Sequence, residues 1–252
     1  MSEPAAASLC VATYNVHRCV GIDRRLSEAR IAQVISTIGA DVVGLQELSM
    51  RRARSGESDQ AAKIAQQLRW NVLFQPALQN PREDFGDAIV SRYPLRLVRT
   101  AELPGKGRWY CREPRIALWA EVETALGTIQ LMNTHLGLGR AERLLQAQWL
   151  AGPDWLGSVA TEIPLVLLGD FNCQPASRPY RELTTCLRDV RKSLARSTAL
   201  RTFPTYLPVC AVDHILVNDC LQPINVRVHR SALARIASDH FPLVAELRNV
   251  SR

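Results

Sequence analysis

Between Leu165 and Gln174 the chain reads Leu-Val-Leu-Leu-Gly-Asp-Phe-Asn-Cys-Gln. An apolar run breaks at Gly169, and Asp170 and Asn172 follow at once. That pattern predicts a buried strand delivering a carboxylate and an amide to its carboxyl end, the edge outside which ligands bind in open α/β sheets. A turn whose Asp and Asn only cap backbone amides would read the same way if it stood alone. It does not stand alone. Residues 9–14 end in Asn15, 41–45 in Gln46 and Glu47, and 128–133 in Thr134 and His135. Asp239 and His240 sit just ahead of the alternating stretch 241–247. Asn15, Glu47, Asp170, Asn172 and Asp239 are hard oxygen ligands or phosphate-positioning groups. His135 and His240 can donate to phosphate or move protons. Mg²⁺ prefers such oxygens and is usually held by one or two carboxylates plus substrate phosphate.

The elements that must position these residues alternate from the start. Ile31, Val34, Ile35 and Ile38 recur at helical spacing, with Gly39 as a natural stop. Residues 59–68 repeat that pattern, and 141–150 and 178–187 read as later helices. Strands are predicted at 72–75, 88–91, 95–103, 116–123, 128–133, 211–217, 224–229 and 241–247. The two halves share a rhythm of strand, helix and mid-chain strands that suggests a weak internal repeat. No linker, low-complexity stretch or charge block divides the 252 residues, so one domain spanning 1–252 is expected. Its expected architecture is two β-sheets packed face to face with helices on the outer faces.

Composition is that of an ordinary globular protein, 47% hydrophobic and 22% charged. No apolar stretch approaches a membrane span, and the first eight residues lack the basic and apolar regions of a secretory signal. Seven scattered cysteines with no Cys-x-x-Cys pair do not indicate a zinc site or a disulfide framework, and a reducing cytoplasm is the expected setting. The net charge of +7 favours an anionic partner. Arg51, Arg52 and Arg54 follow Glu47 closely, and arginine matches phosphate with a bidentate fork.

Seven blocks then occur in an order that resembles the endonuclease/exonuclease/phosphatase superfamily. They are Thr13-Tyr14-Asn15-Val16-His17, Val43-Gly44-Leu45-Gln46-Glu47, Gly86-Asp87-Ala88-Ile89-Val90-Ser91-Arg92-Tyr93-Pro94 and Asn133-Thr134-His135-Leu136. Gly169-Asp170-Phe171-Asn172, Val212-Asp213-His214-Ile215 and Ser238-Asp239-His240-Phe241-Pro242-Leu243 complete the set. Residues 19–25, 51–56 with Asp59-Gln60, and Arg112-Glu113-Pro114-Arg115 resemble a bacterial branch whose members are often encoded beside cardiolipin synthase. The resemblance implies an α/β (α+β) fold, a four-layer α/β sandwich of two packed mixed β-sheets flanked by helices, with the motif-bearing strand ends gathered at one edge.

It also implies a Mg²⁺-dependent phosphoesterase, with Mn²⁺ as a substitute, that directs water onto phosphorus. Asn15, Glu47 and Asp239 are the expected metal-side residues. Asp170 is expected to orient or deprotonate water, and Asn172 to donate to a phosphate oxygen. His240, oriented by Asp213, would be a general base or a phosphate clamp, and His135 a phosphate contact or leaving-group acid. Arg51, Arg52, Arg112 and Arg115 are the expected phosphate-binding cations. Asp87 departs from the Gly-Asn-Ala form common in relatives and could pair with His135 or be a plain turn residue. The expected substrate is a phospholipid-derived or other small phosphoester, with peripheral contact at the inner membrane surface. No protein partner is inferred. A DNA or RNA nuclease is the alternative, and a non-catalytic binding module is opposed by the intact set of site residues.

Overall fold

The computed structural model describes residues 7–50, 58–80, 83–105, 113–193 and 200–250. Twelve strands form two six-stranded sheets. The first sheet contains β1 (Leu9–Asn15), β2 (Val42–Met50), β3 (Asn71–Asn80), β4 (Glu83–Ser91), β11 (Leu221–Val228) and β12 (Leu243–Asn249), in the order β11-β12-β1-β2-β4-β3. The second contains β5 (Leu95–Glu102), β6 (Ile116–Thr124), β7 (Gly127–His135), β8 (Leu165–Asp170), β9 (Arg188–Asp189) and β10 (Asp213–Val217), in the order β5-β6-β7-β8-β10-β9. Both sheets have the same pairing sequence: two antiparallel steps, one parallel step, two antiparallel steps. The parallel pairs are β1 with β2 and β7 with β8. The internal rhythm of the sequence is therefore a repeated sheet.

Three apolar clusters separate four layers. Helices α1 (Glu28–Ile38), α2 (Gln60–Leu68) and α5 (Ala232–Ala237) cover the outer face of the first sheet through Ile31, Ile35, Ile64 and Ala234, which pack on Ala12, Tyr14, Val43 and Leu45. The sheets meet through Val11, Val42 and Ile89 on one side and Leu131, Val166, Leu168 and Ile215 on the other. Helices α3 (Arg140–Ala151) and α4 (Arg178–Leu183) cover the second sheet through Ala147, Leu150, Tyr180 and Leu183. This is the expected four-layer α/β sandwich.

Local chemistry sets the helix ends. The Ser27 hydroxyl accepts from Arg30 N, the Asp59 carboxylate from Ala62 N and the Ser231 hydroxyl from Ala234 N, each satisfying an orphan donor of the first turn. Gly39 ends α1 at φ 69°, a left-handed conformation that glycine adopts without a Cβ penalty.

Strand alternation decides where the polar ends point. Side chains two apart share a face. Leu9 and Val11 of β1 face the other sheet, and the same row continues through Thr13 to Asn15. In β8 the row is Val166, Leu168, Asp170; in β10 it is Val217, Ile215, Asp213; in β7 it is Ile129, Leu131, Asn133, His135. All four rows run out of hydrocarbon at one edge, and the polar residues that end them meet above the inter-sheet core.

Two prolines sit inside strands, just outside the expected bounds 72–75 and 224–229. Pro76 lies within β3 and Pro223 within β11, both edge strands, each beside a register shift. An edge strand tolerates a residue that cannot donate, and a bulge absorbs the irregularity. Hence β3 runs on to Asn80 and β11 starts at Leu221.

Candidate active site

At the base of the site the two sheets are joined by polar bonds. Asn133 is fully buried, and its amide donates to Leu45 O at 3.0 Å and Ala88 O at 2.9 Å. Gln46 Nε2 donates to Asn133 Oδ1 at 2.7 Å and to Thr13 Oγ1 at 3.1 Å. Such groups are stable in a core only when paired, and here they fix the height of β2 against the second sheet. The sheets also approach closely: a Cβ at Gly44 would lie 2.1 Å from Leu168 Cδ1. At Gly169, φ 149°, a Cβ would meet Thr134 O at 1.8 Å, so β8 can run this close to β7 only as glycine.

Above that base β2 bulges. Between Leu45 and Leu48 two residues, Gln46 and Glu47, oppose Asp87 of β4. Glu47 takes φ 60°, and its backbone N–H donates to Asp87 Oδ1 at 3.3 Å. Bulges re-aim side chains, and this one puts the half-buried Glu47 carboxylate over the strand ends. Asn15 Nδ2 donates to Glu47 Oε1 and to Asp170 Oδ2, both at 3.1 Å, so one amide ties a carboxylate of each sheet. Asp170 Oδ1 accepts from Asn172 N at 2.8 Å, across a tight turn in which Asn172 takes φ 50°.

Two histidines flank Asp170. His135 Nε2 lies 3.6 Å and His240 Nε2 3.7 Å from Asp170 Oδ2. His240 Nδ1 donates to Asp213 Oδ2 at 2.9 Å, and its ring packs against Phe203 with centroids 4.6 Å apart. Asp213 is fully buried, and its Oδ1 has no hydrogen-bond partner. Arg115 Nη1 donates to His135 Nδ1 at 3.1 Å, while Asn172 Nδ2 sits 2.9 Å from Nε2. Glu113 pairs with Arg115 at 3.4 Å and with Arg18 at 3.2 Å.

Electrostatics separates these groups. Burial resists charge on His240, but Asp213 and then Asp170 outweigh it and push its pKa up to about 10. His135 moves the other way, well below the usual histidine value, through burial and then the Arg115 charge. In the metal-free site these shifts favour the imidazolium at His240 and the neutral ring at His135. Burial pushes Asp170 up to about 7, against the pull of His240. Asp87 is also pushed up to about 7 by burial, although Arg115 draws it down.

Most of the anticipated residues thus come together. Asn15, Glu47, His135, Asp170, Asn172, Asp213, His240 and Arg115 form one connected set. Asp239 is half-buried and follows Ser238, whose hydroxyl donates to Asn15 O at 2.8 Å. Arg51, Arg52 and Arg112 lie outside the described residues. Asp87 bonds the Glu47 backbone; no hydrogen bond joins it to His135. Ser238 and Phe203 were absent from the sequence-based set of site residues. Ser238 stood inside the Ser-Asp-His block that carried the resemblance; nothing in the spacing of Phe203 marked it.

A family profile described as the Endonuclease/Exonuclease/phosphatase family matches residues 12–240. The chain belongs to this family. Among curated proteins it is 25% identical over 252 residues to the Escherichia coli K12 protein YbhP, named as uncharacterized, covering 95% of this chain and 96% of that one. Among solved structures, an endonuclease/exonuclease/phosphatase family protein from Bacteroides thetaiotaomicron matches with TM-score 0.77 at 21% identity, over 98% of this chain and 99% of that one. The mannosyl-6-phosphatase from the same species matches with TM-score 0.75 at 21% identity, over 95% of this chain and 99% of that one. At such identities the structural matches establish a shared fold.

The donor set suits the divalent cation that the family implies. Among the described residues, the Asp170 and Asp213 carboxylates bring one oxygen each within 4.8 Å of the other, beside the His240 ring. Glu47 and the orphaned Asp213 Oδ1 add hard oxygen to the same edge.

Proposed function

We propose that the protein is a Mg²⁺-dependent phosphoesterase that hydrolyses a phospholipid-derived or other small phosphoester. The observation that carries this reading is the convergence of Asn15, Glu47, His135, Asp170, Asn172 and the bonded Asp213–His240 pair at the facing strand ends. Glu47, Asn15 and Asp239 would hold the metal. When bound, it would neutralise charge on the phosphoryl group and on the leaving oxygen. The carboxylate of Asp170 orients water for attack on phosphorus and takes up its proton. Asn172 donates to a non-bridging oxygen.

His240, charged and fixed by Asp213, offers its Nε2–H to a second phosphate oxygen. Preorganised donors in a site closed to water stabilise developing charge strongly, because they need not reorient during reaction. His135, kept neutral, contacts the phosphate, and Arg115 beside it supplies the fixed cation. Arg51, Arg52 and Arg112 belong to the same proposed phosphate-binding set. Peripheral contact with the inner membrane surface, in a cytoplasmic protein, accompanies the lipid reading. No described helix is long and apolar enough to cross a membrane.

One hydrolysis panel tests this. Phosphatidyl lipids, sugar phosphates, inositol phosphates, RNA, plasmid and abasic duplex are offered with Mg²⁺, with Mn²⁺ and with EDTA. Activity on a lipid-derived or small phosphoester should vanish in EDTA and return with either metal. Glu47→Gln should weaken Mg²⁺ affinity without unfolding the chain. Full activity in EDTA, or tightly bound zinc by elemental analysis, would sink the metal assignment. Efficient, steeply salt-sensitive plasmid nicking lost in Asp170→Ala would put the nuclease reading first.

A further inference from the structure

Three connections gather at the edge that carries His240. Residues 20–26 follow β1 and its short 3-10 turn, 203–210 precede β10, and 229–242 join β11 to β12. They are tied together: Ile22 N donates to Ile236 O at 3.1 Å, Arg235 Nη1 to Thr205 O at 3.0 Å, and Thr205 N to Asp239 O at 2.8 Å. The inner sides of these segments serve the site, through Phe203 against His240 and Ser238 against Asn15. Their outer sides are apolar. Tyr206 is 72% and Leu207 61% exposed, and Val209, Ile22, Ile236 and Leu26 are also exposed.

Exposed apolar side chains scattered singly need no explanation, but a cluster on joined loops at the mouth of a site does. The exposed charged residues among them are mostly cations. Arg24, Arg25, Arg230 and Arg235 are exposed on these segments, and Arg201, just ahead of 203–210, is exposed beside Arg230, which donates to its carbonyl. The one exposed acid there, Asp23, is paired with Arg30 at 2.9 Å.

We propose that this rim is a docking surface for a lipid bilayer bearing anionic headgroups, which presents the phosphoester of a membrane lipid to the neighbouring site. Large aliphatic side chains interspersed with arginine along joined loops are what interfacial binding requires, since apolar groups enter the acyl boundary while cations sit at the headgroups. Nucleic acid fits this rim less well. Leu207, Val209, Ile22, Leu26 and Ile236 can neither stack on a base nor bond to it, and Tyr206 is the sole aromatic among the exposed residues named. Only the reason for approaching a membrane rests on the phosphoesterase reading; the binding itself does not.

The test is co-sedimentation of the full chain, in EDTA and also as Asp170→Ala, with vesicles of phosphatidylcholine alone or mixed with phosphatidylglycerol. The protein should sediment with the mixed vesicles and weakly with phosphatidylcholine. The paired change Tyr206→Ser and Leu207→Ser should weaken binding at least about tenfold, the order expected for withdrawing two large apolar groups from the interface. Arg201→Glu with Arg230→Glu should weaken it on mixed vesicles alone. Hydrolysis of a small soluble phosphoester should be unchanged in both variants.

No sedimentation with either vesicle, or equal binding by the paired variants, overturns the proposal. So does loss of duplex-oligonucleotide binding in those variants with no vesicle response. Retained vesicle binding without hydrolysis of any phosphoester would leave the surface standing and remove the phosphoesterase reading.

Discussion

The two faces of β10 carry opposite kinds of buried polar cluster, one residue apart. Asp213 faces the other sheet and joins His240, Asp170 and His135. His214 faces the outer helices and joins Asp189, Arg191, Tyr180 and Phe171. Both clusters contain buried acids and imidazoles, and they differ in how completely they are satisfied.

In the outer cluster Asp189 accepts from Arg191 Nε and Nη2 and from the Tyr180 hydroxyl, and Arg191 N also donates to it. His214 contacts Arg191 through one ring nitrogen and Cys173 O through the other, at 2.8 Å, and stacks on Phe171. Burial alone would raise the Asp189 pKa, but the His214 ring 3.8 Å away and the bonds from Arg191 outweigh it and hold the carboxyl far below its usual range. In the inner cluster Asp213 Oδ1 is orphaned, Asp170 sits near pH 7 and His240 near 10. A cluster that spends all its bonds on itself has nothing to offer a substrate. The inner one holds donors, acceptors and protons in reserve, which is the signature of a working site. Cys173 O connects the two, so the satisfied cluster braces the turn that holds Asp170 and Asn172.

Breaking the braced cluster should cost the most. Asp189→Ala leaves Arg191 buried and unpaired, a loss of about 3–5 kcal/mol, read as a lower urea midpoint. Turnover per folded molecule should be retained. The pH dependence separates the clusters further. Asp189 has a folded pKa below its unfolded value of about 3.9, so its contribution is present above that value and is lost as pH falls below it toward the folded pKa. His240 is raised, so in metal-free protein its contribution is present below about 6.5 and is lost as pH rises through about 10. Denaturation midpoints should therefore fall at acid pH less steeply in Asp189→Ala, and at alkaline pH less steeply in His240→Ala. Parallel curves for all three proteins would erase the distinction.

The inner cluster should respond in rate. His240→Ala should lower kcat roughly 10²-fold or more, the scale of a positioned acid–base group, and should also lower the midpoint at and below neutral pH, where the charged ring contributes to stability. Asp213→Asn should harm the same step, because the ring then loses the carboxylate that fixes it. His214→Ala should lower the midpoint too, but with a much smaller loss of kcat, since its ring supports the Asp170 turn only through Cys173 O. Near-normal turnover in both His240→Ala and Asp213→Asn would reduce the pair to a structural bond.

The contrast also explains what could be read from the chain. Part of the inner set was legible because its members end apolar rows whose alternation already fixes their face: Val11, Thr13, Asn15 in β1 and Val166, Leu168, Asp170 in β8 are rows continued by one more step. Local pattern carries that information. The outer cluster was not legible. Asp189 and Arg191 sit on a two-residue strand and a short 3-10 turn, and their partner His214 is far along the chain. Helix α5, with six residues, is too short to display a period. The Glu47 bulge was hidden as well, because it arises from the mismatch of β2 with β4 and is written in neither strand alone.

That bulge yields the smallest effect and the finest division between bracing and chemistry. Asp87 is buried and accepts from Glu47 N, so it holds the carboxylate's aim from one bond away. Outer-shell partners of this type typically change metal affinity by about 10–100-fold when removed. Asp87→Ala should fall near the low end, about tenfold in Mg²⁺ affinity by titration, since the strand pairing on both sides of the bulge remains. Asp87→Asn keeps an oxygen that can accept the same N–H and should restore most of the affinity. If Asp87 served only the core, both variants would lower the denaturation midpoint and leave Mg²⁺ affinity alone. If its negative charge were itself part of the metal site, Asp87→Asn would fail as badly as Asp87→Ala. Rescue by Asn, read as affinity and not as stability, is the outcome that places Asp87 behind Glu47 and makes the bulge a positioning device.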